Sequence, residues 1–168
     1  MTWAALFLLL LAAFLGLTWV LSERLRHPMG SAARASAPGK FAELSQGVTH
    51  YRWSGPLGGP VAVCVHGLTS ASYVWDPVVR ALNMMGFRVL RYDLYGRGFS
   101  DRPPGVQDRD FFLRQLRDLL EDQGIGQVDM MVGYSMGGSI ATAFTAEDPG
   151  RVLRLVLLAP AGLGLTPG

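Results

Sequence analysis

A single cysteine in 168 residues leaves no internal disulfide to staple the chain. Cys64 stands in the apolar run Val61–Val65 and has the surroundings of a small core residue. Charge is also sparse: 17% of residues are charged against 49% hydrophobic, the mixture expected when an ordinary globular domain is joined to one very apolar segment. A formal net charge of +2 is too small to imply a nucleic-acid partner. The arginines are scattered with no basic stripe to follow a phosphate backbone, so nucleic-acid binding is excluded from the expected functions. No internal repeat is visible after Phe41. The length has room for one modest domain, and part of it is occupied by something other than a soluble core.

What the sequence does contain begins with nineteen residues, 3–21, without a charge. As a helix at about 1.5 Å per residue they match the hydrocarbon thickness of a bilayer. Trp3 and Trp19 fall near the two ends, where amphipathic rings favour the membrane interface. A signal peptide needs a charged leading region and a shorter apolar stretch. The A-x-A-like site Ala33-Arg34-Ala35 also lies too far past residue 21, so a retained anchor is favoured over a cleaved signal. With no polar face, a soluble core helix fits poorly. Residues 1–22 are therefore expected to be a transmembrane anchor. Arg24, Arg26, Arg34 and Lys40 follow the span while only the terminal amine precedes it, which places the rest of the chain on the cytoplasmic side of a single-pass protein. Residues 23–40, with Pro28, Gly30, Pro38 and Gly39, have linker composition.

From residue 41 onward, short β-branched runs alternate with helical patterns, the signature of an α/β fold: a mostly parallel sheet with crossover helices. Strands are predicted at 48–53, 61–66, 87–92, 128–134 and 152–158. Helices are predicted at 74–85, stopped by Gly86, at 110–123, stopped by Gly124, and at 136–147. In the second helix Phe112, Leu113, Leu116, Leu119 and Leu120 form one apolar face.

The chemistry concentrates in Gly133-Tyr134-Ser135-Met136-Gly137-Gly138, a G-x-S-x-G sequence set where a strand turns directly into a helix. A serine on such a turn is held in strained backbone geometry with its hydroxyl above the carboxyl end of the sheet. Gly133 and Gly137 keep the neighbouring elements from colliding, and the following helix directs its positive dipole and free N–H groups to the same place. An incidental glycine turn is the bland alternative, and the strand-before, helix-after context argues against it.

With that motif the chain resembles the α/β-hydrolase superfamily, in the single-domain branch that includes lipid esterases, carbon–carbon bond hydrolases and haloperoxidase-like proteins. His66-Gly67-Leu68 after the central strand is similar to the family's oxyanion loop. Arg91-Tyr92-Asp93-Leu94-Tyr95-Gly96-Arg97-Gly98-Phe99-Ser100-Asp101 is similar to its D-x-x-G-x-G-x-S segment, and residues 41–53 to its first strand pair. Together these segments cover residues 41–163 in the family order. The resemblance implies Ser135 as nucleophile, with the backbone N–H groups of Leu68 and Met136 binding the oxyanion. His66, Gly67, Gly133 and Gly137 are then support for the loop and the elbow. His66 is expected to shape the loop rather than act as base, and Asp93 to fix the turn at Gly96 and Gly98 rather than serve as catalytic acid. His27 and His50 are not placed to serve as base. Tyr73 and Trp75 either line a pocket or pack. Neither cofactor nor metal is implied, and the partners are a small-molecule or lipid ester substrate and the membrane.

A serine hydroxyl needs a histidine to take its proton and an acid to orient that histidine. After Ser135 the acids are Glu147 and Asp148, and no histidine follows. In the family's order both partners come later, beyond strands with no counterpart here. The run at 152–158 also reads as a strand meant to have neighbours on both edges. The expectation is the N-terminal portion of an α/β-hydrolase fold over 41–168, incomplete and truncated, behind one transmembrane helix. Two functions follow. One is a membrane-anchored serine hydrolase cleaving an ester or related acyl bond; serine at 135 argues against the dehalogenase and epoxide hydrolase relatives, which use aspartate there. The other is a non-catalytic remnant or interaction module.

Overall fold

The computed structural model describes residues 3–25 and 29–162, so His27 and residues 163–168 lie outside the described part. The chain divides into two compact units, residues 1–35 and 36–168. In the first, α1 runs Trp3–Arg24 with no buried residue, long and apolar enough to cross a membrane. Its two hydroxyls, Thr18 and Ser22, donate back to the carbonyls of Leu15 and Trp19 at 2.9 and 2.8 Å, so each finds a partner within the helix. The linker composition at 23–40 hides a single helical turn, α2 (Ser31–Arg34). Two alanines between Ser31 and Arg34 give that stretch enough local helix propensity to close one turn.

The second unit is built on a six-stranded sheet of β1 (Lys40–Leu44), β2 (Gly47–Ser54), β3 (Val61–Val65), β4 (Arg88–Tyr92), β5 (Met130–Tyr134) and β6 (Leu155–Leu158), in the order β1-β2-β4-β3-β5-β6. β1, β2 and β4 pair antiparallel, and β4, β3, β5 and β6 pair parallel. Parallel neighbours need crossovers, supplied by α3 (Asp76–Met84), α4 (Arg109–Asp122) and α5 (Met136–Glu147). A 3₁₀ turn, Ser72–Trp75, occupies the start of the predicted first helix, so α3 begins only at Asp76, with a proline in its first turn. Asp108 caps α4, accepting from the Phe111 N–H at 2.9 Å.

The strand pleat sorts the core into two layers. On β3, Val63 and Val65 join the α4 and α5 side with Leu90, Met131, Leu116 and Phe144, while Ala62 and Cys64 join the α3 side with Val89, Val132, Val79 and Trp75. Cys64 is fully buried, and desolvation pushes its thiol up to about 12, which makes it inert packing at neutral pH. Trp75 is core, whereas Tyr73 is exposed. The last strand is shorter than its apolar sequence suggests. Val152 only bridges to Val128, and pairing with β5 begins at Leu155, with Val156 and Leu158 36% and 40% exposed.

Candidate active site

β5 ends at Tyr134 and α5 begins at Met136, so Ser135 alone makes the joint, at φ 51° and ψ −122°. A non-glycine residue in so sparsely populated a region costs on the order of 1–3 kcal/mol and persists only where its surroundings over-determine it. Here three backbone hydrogen bonds do so. The Ser135 N–H donates to the Leu158 carbonyl at 3.1 Å, and its own carbonyl accepts from Gly138 at 2.9 Å and Ala161 at 3.0 Å. The flanking glycines make room for so abrupt a turn. A Cβ on Gly133 would stand 2.6 Å from the Gly137 oxygen, and one on Gly137 would collide with the carbonyls of Val65 and His66 at the end of β3. On the facing loop, a Cβ on Gly67 would be 3.1 Å from the Cβ of Ser135. The main chain at 66–68 is therefore pressed against the serine.

That loop is held from behind. The Leu94 N–H donates to His66 Nε2 at 2.9 Å, so this nitrogen carries no proton; Nδ1 is then the protonated one and donates to the Gly67 carbonyl at 2.7 Å. Fully buried, His66 has its pKa lowered by desolvation and is a neutral imidazole with both nitrogens occupied by backbone. Arg97 holds the next residue: its Nε donates to the Leu68 carbonyl at 3.0 Å, and its Nη1 to the Tyr95 carbonyl and Gln107 Oε1, each at 2.7 Å. Leu68 itself is half exposed, and Met136 partly buried.

Asp93 reaches further than the turn at Gly96 and Gly98. Its Oδ2 accepts from His50 Nδ1 at 2.8 Å and the Phe99 N–H at 2.9 Å, and its Oδ1 from the Ser72 N–H at 2.7 Å. Burial pushes this carboxyl up, but hydrogen bonds from His50, Ser72 and Phe99 outweigh it and hold the pKa at about 2. His50, also buried, spends its other nitrogen on the Pro38 carbonyl at 2.6 Å. Gln115 completes the stitching from within the apolar face of α4, donating to Thr49 Oγ1 at 2.9 Å and the Asp93 carbonyl at 3.1 Å and accepting from the Tyr95 N–H at 3.0 Å. Sequence reasoning missed the His50–Asp93 pair and Gln115. The residues stand 43 and 22 positions from Asp93, and only the β2–β4 register, Tyr51 opposite Tyr92, brings His50 beside it. Among the described residues no group of three His, Cys, Asp or Glu side chains could hold a metal ion.

Residues 60–167 match the model of the alpha/beta hydrolase fold family, and the chain belongs to that family. It is 34% identical over 110 residues to a haloalkane dehalogenase of Mycolicibacterium paratuberculosis, covering 64% of this chain and 36% of that protein. Among solved structures it resembles an enol-lactonase from Burkholderia xenovorans, with 30% identity and a TM-score of 0.66 over 69% of this chain and 45% of the other. It also resembles a Pseudomonas aeruginosa hydrolase, with 28% identity and a TM-score of 0.71 over 79% and 49%. The chain spans about a third of the length of such curated relatives and under half of such structures.

Proposed function

We propose that this chain carries the nucleophile portion of a membrane-anchored serine hydrolase that cleaves an ester or related acyl bond of a small molecule or lipid through an acyl-enzyme at Ser135. The observation that carries this reading is the Ser135 joint, at φ 51° with the Gly67 main chain packed against it. In this mechanism the Ser135 Oγ attacks the acyl carbonyl, its proton passes to a base, and the tetrahedral oxyanion is held by the N–H groups of Leu68 and Met136. His66, Gly67, Gly133 and Gly137 support that geometry, and the N-terminus of α5 adds its positive dipole. A serine at 135 favours acyl transfer over the alkyl-ester chemistry of relatives named for dehalogenation. The organisation we infer is an anchor at 1–22, a tether at 23–40 and the hydrolase portion at 41–168, on the cytoplasmic side.

One observation favours a second reading, a chain that keeps the fold but turns over nothing by itself. His50 and His66 have both ring nitrogens engaged, and no histidine follows Ser135. A fluorophosphonate probe applied to the full chain in detergent separates the two. The first reading expects covalent labelling that disappears in Ser135→Ala. Soluble, folded chain that takes no label points to the second. Retention in the pellet after alkaline washing of membranes is the matching test of the anchor, and release of the chain would overturn it.

A further inference from the structure

A cavity of about 250 Å³ lies between the first turns of α4 and α5 and begins at Met136, the residue after the serine. Its α5 wall is Met136, Ser139, Ile140 and Ala143, one stripe of the helix at i, i+3, i+4 and i+7. Phe112 of α4 faces that stripe. Seven residues of helix separate the ends of the stripe, so the groove leads away from the elbow for about 10 Å.

Each polar residue at its rim has a group committed elsewhere. Gln107 Oε1 accepts from Arg97, Asp108 accepts from the Phe111 N–H as the cap of α4, Arg109 is paired with Glu147, and Ser139 Oγ donates to the Ala161 carbonyl. A groove whose lining is Phe, Met, Ile and Ala, and whose polar rim is bonded outward, selects an apolar occupant. Its size sets the class. An apolar cavity of roughly 150 Å³ takes up benzene, so this one suits a phenyl group or a chain of about six carbons.

We infer that the α4–α5 groove is the subsite for the apolar substituent of the acyl group attacked by Ser135, making the substrate class medium-chain or aryl acyl derivatives, with Ala143 setting the length limit. This rests on Ser135 being the nucleophile. A long-chain acyl group would overrun the groove at Ala143, and a formyl or acetyl group would leave it empty.

Alkylphosphonofluoridates of increasing chain length provide the test on the full chain in detergent. Each labels by forming a bond from Ser135 Oγ to phosphorus while fluoride leaves and the hydroxyl proton passes to solvent, so the labelling rate reports how well the alkyl group is accommodated. The rate is expected to rise roughly tenfold or more from methyl to hexyl and to gain nothing further at dodecyl. In Ala143→Phe, and in the milder Ala143→Leu should the first variant fail to fold, that rise disappears while the methyl probe keeps its rate within about twofold. Labelling by the methyl probe with no dependence on chain length, or a hexyl preference that survives both variants, overturns the subsite. If the methyl probe does not label at all, the failure belongs to the nucleophile, and the groove is read separately by titrating hexanamide against the ¹³C-methyl signal of Met136. A saturable shift that Ala143→Phe or Ala143→Leu abolishes sustains the groove as an apolar binding site, and no shift overturns it.

Discussion

The loop after β4, which ties down the main chain at 66–68 facing Ser135, and the joint after β5, which carries Ser135 itself, are held in different ways. On the β4 side Asp93, His50, Gln115 and Arg97 reach across sequence separations of tens of residues and join β2, the loop after β4, α4 and the Leu68 main chain with side chains. On the β5 side the main chain does most of the holding. Ser135 is fixed by three main-chain hydrogen bonds and by glycines that let β3, β5 and α5 approach more closely than any side chain would allow. One half of the site is cross-linked, and the other is jammed. A jammed joint fails through added volume and a cross-linked one through a lost partner, so the two halves are expected to respond to different substitutions.

Volume at the joint has the largest expected effect. The methyl of Gly137→Ala is directed into two backbone carbonyls that cannot rotate away, those of Val65 and His66. The expected cost is about 3 kcal/mol or more, enough to lose most of the folded unit. Thermal melting of the full chain in detergent measures it. A variant that melts within about 2 °C of the parent would show that the joint has slack.

Next comes the hub on the other side. Asp93→Asn leaves buried donors from His50, Ser72 and Phe99 competing for one oxygen, with an expected loss of about 2–4 kcal/mol. It also removes a pH dependence. Because the folded carboxyl is held at about 2 and the unfolded one lies near 4, its contribution is complete above about pH 4 and is lost as pH falls toward 2. Acid melts of the parent should lose roughly 2 kcal/mol across that window beyond any loss seen in Asp93→Asn. Parallel curves for the two chains would remove Asp93 as the source.

The same division explains what could be read from the sequence. Gly133, Ser135 and Gly137 are legible because a sharp strand-to-helix turn has a local solution, fixed residue types at fixed spacing, and α5 has its predicted bounds for the same reason. The role of Asp93 as a hub for three loops was not legible, because it depends on which residue of β2 lies opposite β4, and sequence pattern does not set that register across the stretch of chain that separates Tyr51 from Tyr92. Gln115 was obscured for a related reason. In helical periodicity a polar residue within an apolar face looks like a flaw, and only its three partners show that it belongs there. On β6 the error runs the other way. A seven-residue run at 152–158, apolar except for Arg154, suggested a longer strand, but pairing with β5 starts only at Leu155.

Arg97→Met falls between the two halves, since it cuts a cross-link that ends on the loop facing the jammed serine. Stability should fall by only about 1 kcal/mol, because Arg97 is partly exposed and its loss leaves carbonyls that water can reach. Labelling of Ser135 by a small fluorophosphonate should slow by roughly tenfold, as the Leu68 main chain loses its tie. Arg97→Lys restores part of the rate if position depends on a donor at this point. An unchanged rate in Arg97→Met would mean that Gly67 packing alone sets the loop.

The smallest effect is expected at the end of the strand order, where neither device operates. Val156 pairs in register with Val132, which is 3% exposed, yet is itself 36% exposed. Val156→Thr keeps the β-branched shape and meets water with its hydroxyl, so the expected change is under about 0.5 kcal/mol. The comparison becomes sharper if that expectation fails. A cost of about 1–3 kcal/mol is what an unpaired hydroxyl incurs when buried, and finding it here would mean that the outer face of β6 is covered in the folded protein, so that the β5 side of the site is braced by packing that Ser135 and its glycines do not themselves provide.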